Sequence, residues 1–415
     1  MGMTIAEKII ARASGQESVR ANDICTVELD LLMSNDGTSH ITVDKYNSLK
    51  NPRIADVSKL VWIVDHNIPS DSVKTAASQK KMRDFAREHG IRFHEGDGVC
   101  HQIMMEKYVR PGQLIFGADS HTCAYGALGA FGTGVGNTDY LYAMVTGTSW
   151  VLVPETLRFN LHGRMRDGVY ARDLILTIIG RISANGANYK AMEFGGDGLS
   201  GIDMAGRISM CNLCVEAGAK TALMEVDDTA LEYLKEHGRT PVEIFAPDDD
   251  AVYAKVFDID LDEIRPIVAR PHFVDNVVPA ADALGIHIDE AFLGSCNNGR
   301  IEDLRIGAEL IKGRQVHPDV RFLVVPASRD VYDQALKEGL LETFIEAGAV
   351  IMNPNCSVCW GACQGVIGEG ETLISTGTRN FKGRCGHRDS FVYLASAATV
   401  TASAIKGEIA TADMI

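Results

Sequence analysis

The chain has 415 residues, 46% of them hydrophobic and 23% charged, which excludes general disorder and predicts two or three domains rather than one core. Acids outnumber bases 55 to 40, giving a formal net charge of −15; this argues against a nucleic-acid partner and requires a local basic cluster for any anionic substrate. No run of 18 apolar residues occurs, the N-terminus has no signal-peptide core, and Ala6 replaces the hydroxyl of a myristoylation motif, so no membrane span and a cytoplasmic location are expected.

In chain order, Leu60–Val64 is an apolar run of strand length ended by Asp65 and His66. Ser70 then opens a long amphipathic helix that should stop at Gly90. Ile91–Phe93 and Leu114–Phe116 read as short buried strands. The glycines of Gly126–Gly136 predict a loop packed close to something. The stretch 155–279 shifts in composition, with acidic runs at Asp227–Asp228 and Asp248–Asp250. Beyond it, Ala291–Gly294 reads as a strand, and Ile301, Leu304, Ala308 and Ile311 share a helical face closed by Gly313. Phe322–Val325 follows as a strand, Val331–Ala347 as a helix and Ala349–Met352 as a strand. Alternating β and α elements imply parallel sheets. The expectation is an α/β chain of three domains, 1–154, 155–279 and 280–415.

Ligands of open parallel sheets sit beyond the carboxyl ends of strands, and the reactive side chains fall there. Asp65–His66 follows one strand, Asp119–Ser120–His121 another, Cys296 a third, and Cys356 with Cys359 a later one. Cys356-Ser-Val-Cys359 can grip one metal or cluster, form a redox pair or serve as half a zinc site. Cys211-Asn-Leu-Cys214 could complete a four-cysteine zinc site, although the intervening 141 residues far exceed a zinc-ribbon loop. Cys363 would extend the later motif to three thiols. Ten cysteines without a secretory signal favour metal or catalysis over disulfides. Cys25, Cys100, Cys123 and Cys385 default to inert thiols. Asp65–His66 and Asp119-x-His121, with His101 between, are carboxylate–imidazole neighbours; each alone would be read as a surface pair. Arg379 and Arg384 flank a loop that is either a solvated turn or a carboxylate clamp. Gly132-Thr-Gly-Val-Gly136 fails as a dinucleotide site because Asp139 stands where the third glycine belongs, and no P-loop lysine follows.

Taken in order, Asp-Ser-His-Thr (119–122), Gly-Ser-Cys-x-Asn-Gly-Arg (294–300), Asn-Pro-x-Cys-x-x-Cys (353–359) and Arg-Asn-Phe-x-Gly-Arg (379–384) make the chain resemble, nearly end to end, large subunits of the isopropylmalate isomerase/homoaconitase branch of the aconitase superfamily. The resemblance implies an aconitase-like α/β/α fold lacking the swivelling fourth domain. It implies one [4Fe–4S] cluster on Cys296, Cys356 and Cys359, with the open iron acting as Lewis acid. Asp65 with His66 would protonate the leaving hydroxyl, Asp119 would orient His101, and Glu216 would orient His121. Ser120 belongs to the same catalytic group. Asn212 would hydrogen-bond beside the cluster, Arg379 and Arg384 would hold substrate carboxylate, and Asp36 would be a further active-site residue. The implied activity is a hydro-lyase on a malate-type 2-hydroxy dicarboxylate, 3-isopropylmalate in leucine synthesis first, with homoaconitate, maleate/citraconate and 2,3-dimethylmalate as alternatives. The general base would come from a separate small subunit in a heterodimer or heterotetramer. Thr378 and Asn297 depart from the family's usual Asn and Thr, and both are expected beside cluster or substrate. Rival readings are an RNA-binding apoprotein and a zinc-bound structural protein.

Overall fold

The computed structural model describes residues 2–415, which form three parallel or largely parallel sheets with covering helices and a two-stranded antiparallel ribbon of Ile24–Glu28 with Thr148–Leu152. The first has strand order Arg92–Glu95, Leu60–Val64, Leu31–Asn35, Leu114–Gly117, Phe131–Gly134, all parallel. Chain order runs outward from Leu31–Asn35 to one side and then restarts on the other, so a topological switch point lies beside that strand. Leu60–Val64 is buried at every residue, as a strand covered on both faces must be. On one face Trp62 stacks on Phe85 of the helix Val73–His89 and donates its indole N–H to Tyr140 Oη at 2.9 Å. That helix begins later than the sequence suggests. Ser72, not Ser70, accepts the N–H of Thr75 as cap, and Gly90 ends it in the left-handed conformation.

The second sheet is Thr221–Met224, Ala191–Gly195, Thr156–His162 and Lys255–Asp260, again parallel. The third has order Val277–Pro279, Ile267–Ala269, Phe391–Leu394, Thr372–Ser375, Glu290–Gly294, Arg321–Val325, Val350–Ile351. Its five-stranded body is parallel, and the first two strands add antiparallel. Those two strands lie in the stretch grouped by composition with the middle of the chain, but they pair here: Ala269 aligns with Leu394. A second switch point lies between Glu290–Gly294 and Thr372–Ser375.

Two further expectations change. The glycine-rich stretch is not one loop: Ser120–Leu128 is 3₁₀ helix and Phe131–Gly134 an edge strand. The glycines allow that strand to press on the preceding turn, since a Cβ on Gly132 would lie 2.2 Å from Thr122 O and one on Gly134 2.7 Å from Asp119 O. The helix expected over Val331–Ala347 divides into Arg329–Lys337 and Leu340–Glu346, because Gly339 takes φ +75° between them. Among the described residues no helix is long and apolar enough to cross a membrane.

Candidate active site

The switch points of the first and third sheets open on one cavity of about 220 Å³. From the first sheet come His66, beyond Leu60–Val64, and Asp119, Ser120 and His121, beyond Leu114–Gly117; the helix Cys100–Lys107 adds Cys100 and His101. From the third come Ser295 and Cys296, then Cys356, Cys359 and Trp360, and finally Thr378, Arg379 and Arg384. A larger cleft of about 780 Å³ lies behind the Cys296 loop, along 164–172 and 298–309, but no imidazole or thiol lines it; the chemistry belongs to the smaller one.

Each imidazole faces a carboxylate. His66 Nδ1 stands 2.8 Å from Asp65 Oδ1 and 3.1 Å from Asp36 Oδ1. Burial alone would lower its pKa, but the charges of Cys356 and Asp65 and the hydrogen bonds to Asp36 and Asp65 push it well above the ordinary histidine value. His101 Nε2 is 2.7 Å from Asp119 Oδ1, and its Nδ1 is 3.3 Å from Tyr125 Oη. His121 donates its backbone N–H to Asp119 Oδ1 at 2.8 Å, and its Nε2 lies 3.3 Å from Glu216 Oε1. Against burial, Asp119 and Glu216 raise the His121 pKa, while His101 and His121 hold Asp119 well below the carboxylate range.

Asp36 is not a cavity residue. Its Oδ1 accepts the backbone N–H groups of Asp65 and His66, and its Oδ2 accepts from the backbone N–H of Asn67 and from the side-chain Nε2 of Gln79. The carboxylate therefore fixes the turn carrying His66. Asp65 likewise stays behind the wall, where Oδ2 accepts the N–H of Cys100 at 2.6 Å. Glu216 is set back too, but does more than expected: besides facing His121, its Oε1 accepts from Arg379 Nε at 2.7 Å. Arg379 Nη2 donates to Ser120 Oγ at 3.0 Å. The Arg384 guanidinium lies over the rings of Trp360 and Phe381, each 5.7 Å away, and its Nε is buried without a hydrogen-bond partner, so it has capacity left for an anion.

The sulfurs fit a soft metal centre. Cys296, Cys356 and Cys359 reach the same cavity from two turns of one sheet, Cys296 after Glu290–Gly294 and the other two after Val350–Ile351. Asn212 Nδ2 lies 3.5 Å from Cys296 Sγ, and Thr378 Oγ1 lies 3.5 Å from Cys359 Sγ. Gly377 leaves that sulfur room, since a Cβ there would lie 3.3 Å from it. Burial pushes the Cys296 thiol up to about 12, so thiolate at this position calls for a cation to bind it. Cys211 and Cys214 are instead fully buried in the helical core of the middle sheet, where the Cys214 thiol donates to Met210 O, and neither lines the cavity that holds Cys356 and Cys359. The paired-CxxC zinc site is thereby corrected. Cys363 turns to the carbonyl of His66 and to Asn67 Oδ1.

Of the two departures, Thr378 lines the cavity, whereas Asn297 does not. Asn297 is fully buried, its amide bonded to Arg172, Ser209 and Asn212. The sequence reading set Cys100 down as an inert thiol and passed over Ser295, although both stand next to residues it singled out and both line the cavity. It also passed over Arg300, whose guanidinium donates to the carbonyls of Cys296 and Asn297 at 2.7 Å each.

Comparison with known proteins agrees with this picture. The model of the aconitase family (aconitate hydratase) matches residues 7–285 and 281–407. The chain is 48% identical to the "3-isopropylmalate dehydratase large subunit 1" of Methanopyrus kandleri, covering 99% of this chain and 98% of that one. It is 44% identical to the "3-isopropylmalate dehydratase large subunit" of Aquifex aeolicus, covering 100% and 98%. It is 45% identical to the "Probable methanogen homoaconitase large subunit" of Methanothermobacter thermautotrophicus, covering 98% and 97%. Among solved structures, the holo-form of Thermococcus kodakaraensis aconitase X matches in fold with a TM-score of 0.50 at 11% identity, covering 86% of this chain and 84% of that one.

Proposed function

We propose that this chain, which belongs to the aconitase family, is the large subunit of a 3-isopropylmalate dehydratase, a hydro-lyase that removes and re-adds water on a malate-type dicarboxylate in leucine synthesis. The observation supporting this reading is the convergence of Cys296, Cys356 and Cys359, three imidazoles facing carboxylates and two arginines on one cavity between two switch points. Homoaconitase is the second reading, favoured by the 45% identical relative of that name. We divide the chain into three α/β domains.

Cys296, Cys356 and Cys359 would hold a [4Fe–4S] cluster, which when bound supplies a Lewis acid toward the substrate's hydroxyl and carboxylate. The protein's own groups do the rest. Arg379, fixed by Glu216 and Ser120, and Arg384 hold carboxylate, and their charge offsets the negative charge that builds on it as the neighbouring C–H is broken. His66, kept protonated by Asp65 and Asp36, gives a proton to the departing hydroxyl. The C–O bond breaks with its electron pair going to oxygen, and the C–H pair becomes the new C=C bond. The proton from carbon goes to a base on a small-subunit partner. Asp119 holds His101, and Glu216 holds His121, in fixed orientation around the ligand.

The test is reconstitution. Purified anaerobically with iron and sulfide, the chain should bind iron and turn over negligibly alone, then gain hydratase activity on 3-isopropylmalate when a small subunit is added. Full activity without the second polypeptide would refute the divided site. A panel including homocitrate and citramalate distinguishes the substrates.

A further inference from the structure

Arg172 is the second residue of the helix Ala171–Ile182, in the middle stretch of the chain; it is buried, at the floor of the larger cleft behind the Cys296 loop rather than in the catalytic cavity. Its Nη1 donates to Asn297 Oδ1, to Asn298 Oδ1 at 3.1 Å and to Thr376 O at 2.8 Å, and its Nη2 donates to Gly377 O. All four acceptors are neutral amides. A buried guanidinium without a paired carboxylate is costly, and packing alone would be served better by an apolar side chain. What the planar fork provides is a bridge: two of its acceptors lie on the loop after the strand Glu290–Gly294 and two on the turn after its neighbour Thr372–Ser375.

We propose that Arg172 is a positioning residue that ties the Cys296 loop to the Thr376–Arg379 turn, fixing a sulfur ligand relative to a carboxylate-binding guanidinium; this rests on the roles given above to Cys296 and Arg379. The path to the sulfur is short. Asn297 follows Cys296 in sequence, and the Nδ2 of Asn297 donates to Asn212 Oδ1 at 3.2 Å while Asn212 Nδ2 reaches Cys296 Sγ. On the other side, Gly377 lies two residues before Arg379 and against Cys359 Sγ. One side chain from a helix of the middle stretch thus orders both loops. A lysine would keep the buried charge but could not satisfy all four acceptors from one ammonium.

The experiment compares wild type, R172K, R172M and C296S, each loaded anaerobically with iron and sulfide and assembled with the small subunit. Iron per chain, the rate at which visible cluster absorbance is lost in air, KM and kcat are read. For R172M we expect folded protein with cluster loss accelerated at least tenfold, KM raised at least fivefold and kcat lowered; R172K should fall between. Wild-type cluster lifetime and KM in R172M would overturn the proposal. Should R172M fail to fold, R172K decides, and an unchanged lifetime and KM in R172K would overturn it equally. C296S keeps the two readings apart. If C296S retains full iron, the cluster assignment fails; if C296S loses iron while the Arg172 variants match wild type, only the role of Arg172 fails.

Discussion

Glu216 Oε1 accepts from Arg379 Nε at 2.7 Å and stands 3.3 Å from His121 Nε2. One oxygen therefore ties a guanidinium from the third sheet to an imidazole from the first, from a residue that lies just beyond a helix of the middle stretch. Burial would raise the pKa of Glu216, but His121 and Arg379 lower it, so the group is an anion across the working range and both partners are held by charge.

Glu216→Gln keeps the shape and removes the charge. A charge-assisted bond is worth roughly 1.5–3 kcal/mol, or about 10–100-fold. We expect kcat/KM for the dicarboxylate to fall by about that factor, mostly through KM, with iron content unchanged. Steady-state kinetics with KM and kcat separated checks this, and an unaltered KM would remove Arg379 from carboxylate binding.

The Asp119 and His121 shifts set a pH window for stability. Asp119 is depressed from 3.8 by His101 and His121 against its burial, so its contribution is full above 3.8 and is lost as pH falls through the lower folded value. His121 is raised from 6.5, so its contribution is full below 6.5 and is lost as pH rises through the higher folded value. Both are complete only between those two limits. Urea unfolding of the isolated chain should show the wild type–D119N gap narrowing in acid and the wild type–H121Q gap narrowing in alkali. Gaps that stay constant with pH would contradict the assigned shifts.

What the sequence conveyed is the part of the site that obeys a local rule. Asp65–His66, Asp119–His121 and Cys296 directly follow apolar strands, and that adjacency is visible in one dimension. Arg172 is different: its partners lie 125 to 205 positions away, and in its stretch the sequence shows only a shift in composition. Asp36 also follows a strand, yet the carboxylate turns back to the His66 backbone, a direction that adjacency does not encode. The glycines near 132 announced close packing but not the pleated backbone, because period-2 alternation is invisible when the side chains are hydrogens. Gly339 splits a helix whose apolar pattern runs through it, a cost that periodicity does not register.

Gly134→Ala tests that close packing. Its Cβ would lie 2.7 Å from Asp119 O and 3.0 Å from Ser120 Cα, both backbone atoms, so the Asp119–His121 turn must move. Overpacking of this kind costs about 1–3 kcal/mol. A Tm lowered by several degrees and a reduced kcat are expected, while iron content stays at the wild-type level, because no sulfur lies on that turn. A variant with unchanged Tm and rate would mean that the turn yields freely and does not hold His101 and His121 by its position.

Cysteine-to-serine substitution separates the metal readings. Serine at 296, 356 or 359 removes a soft donor from the shared cavity, and two remaining thiolates do not hold a four-iron cluster firmly; each variant should lose most of its iron and its brown absorbance. Serine at 211 or 214 sits in a dry helical core, where the Cys214 thiol donates to Met210 O at 3.3 Å, and iron should be retained. Cys363 is the discriminating position. It follows Cys359 by four residues and lies close enough in sequence to be a fourth ligand, but its thiol is turned to the His66 carbonyl. Full iron in C363S would agree with three ligands and an iron left open for substrate, whereas loss in C363S equal to that in C359S would close the fourth corner and remove the Lewis acid from the reaction. Equal loss in C214S and C359S would instead restore the paired-CxxC site that the geometry separates.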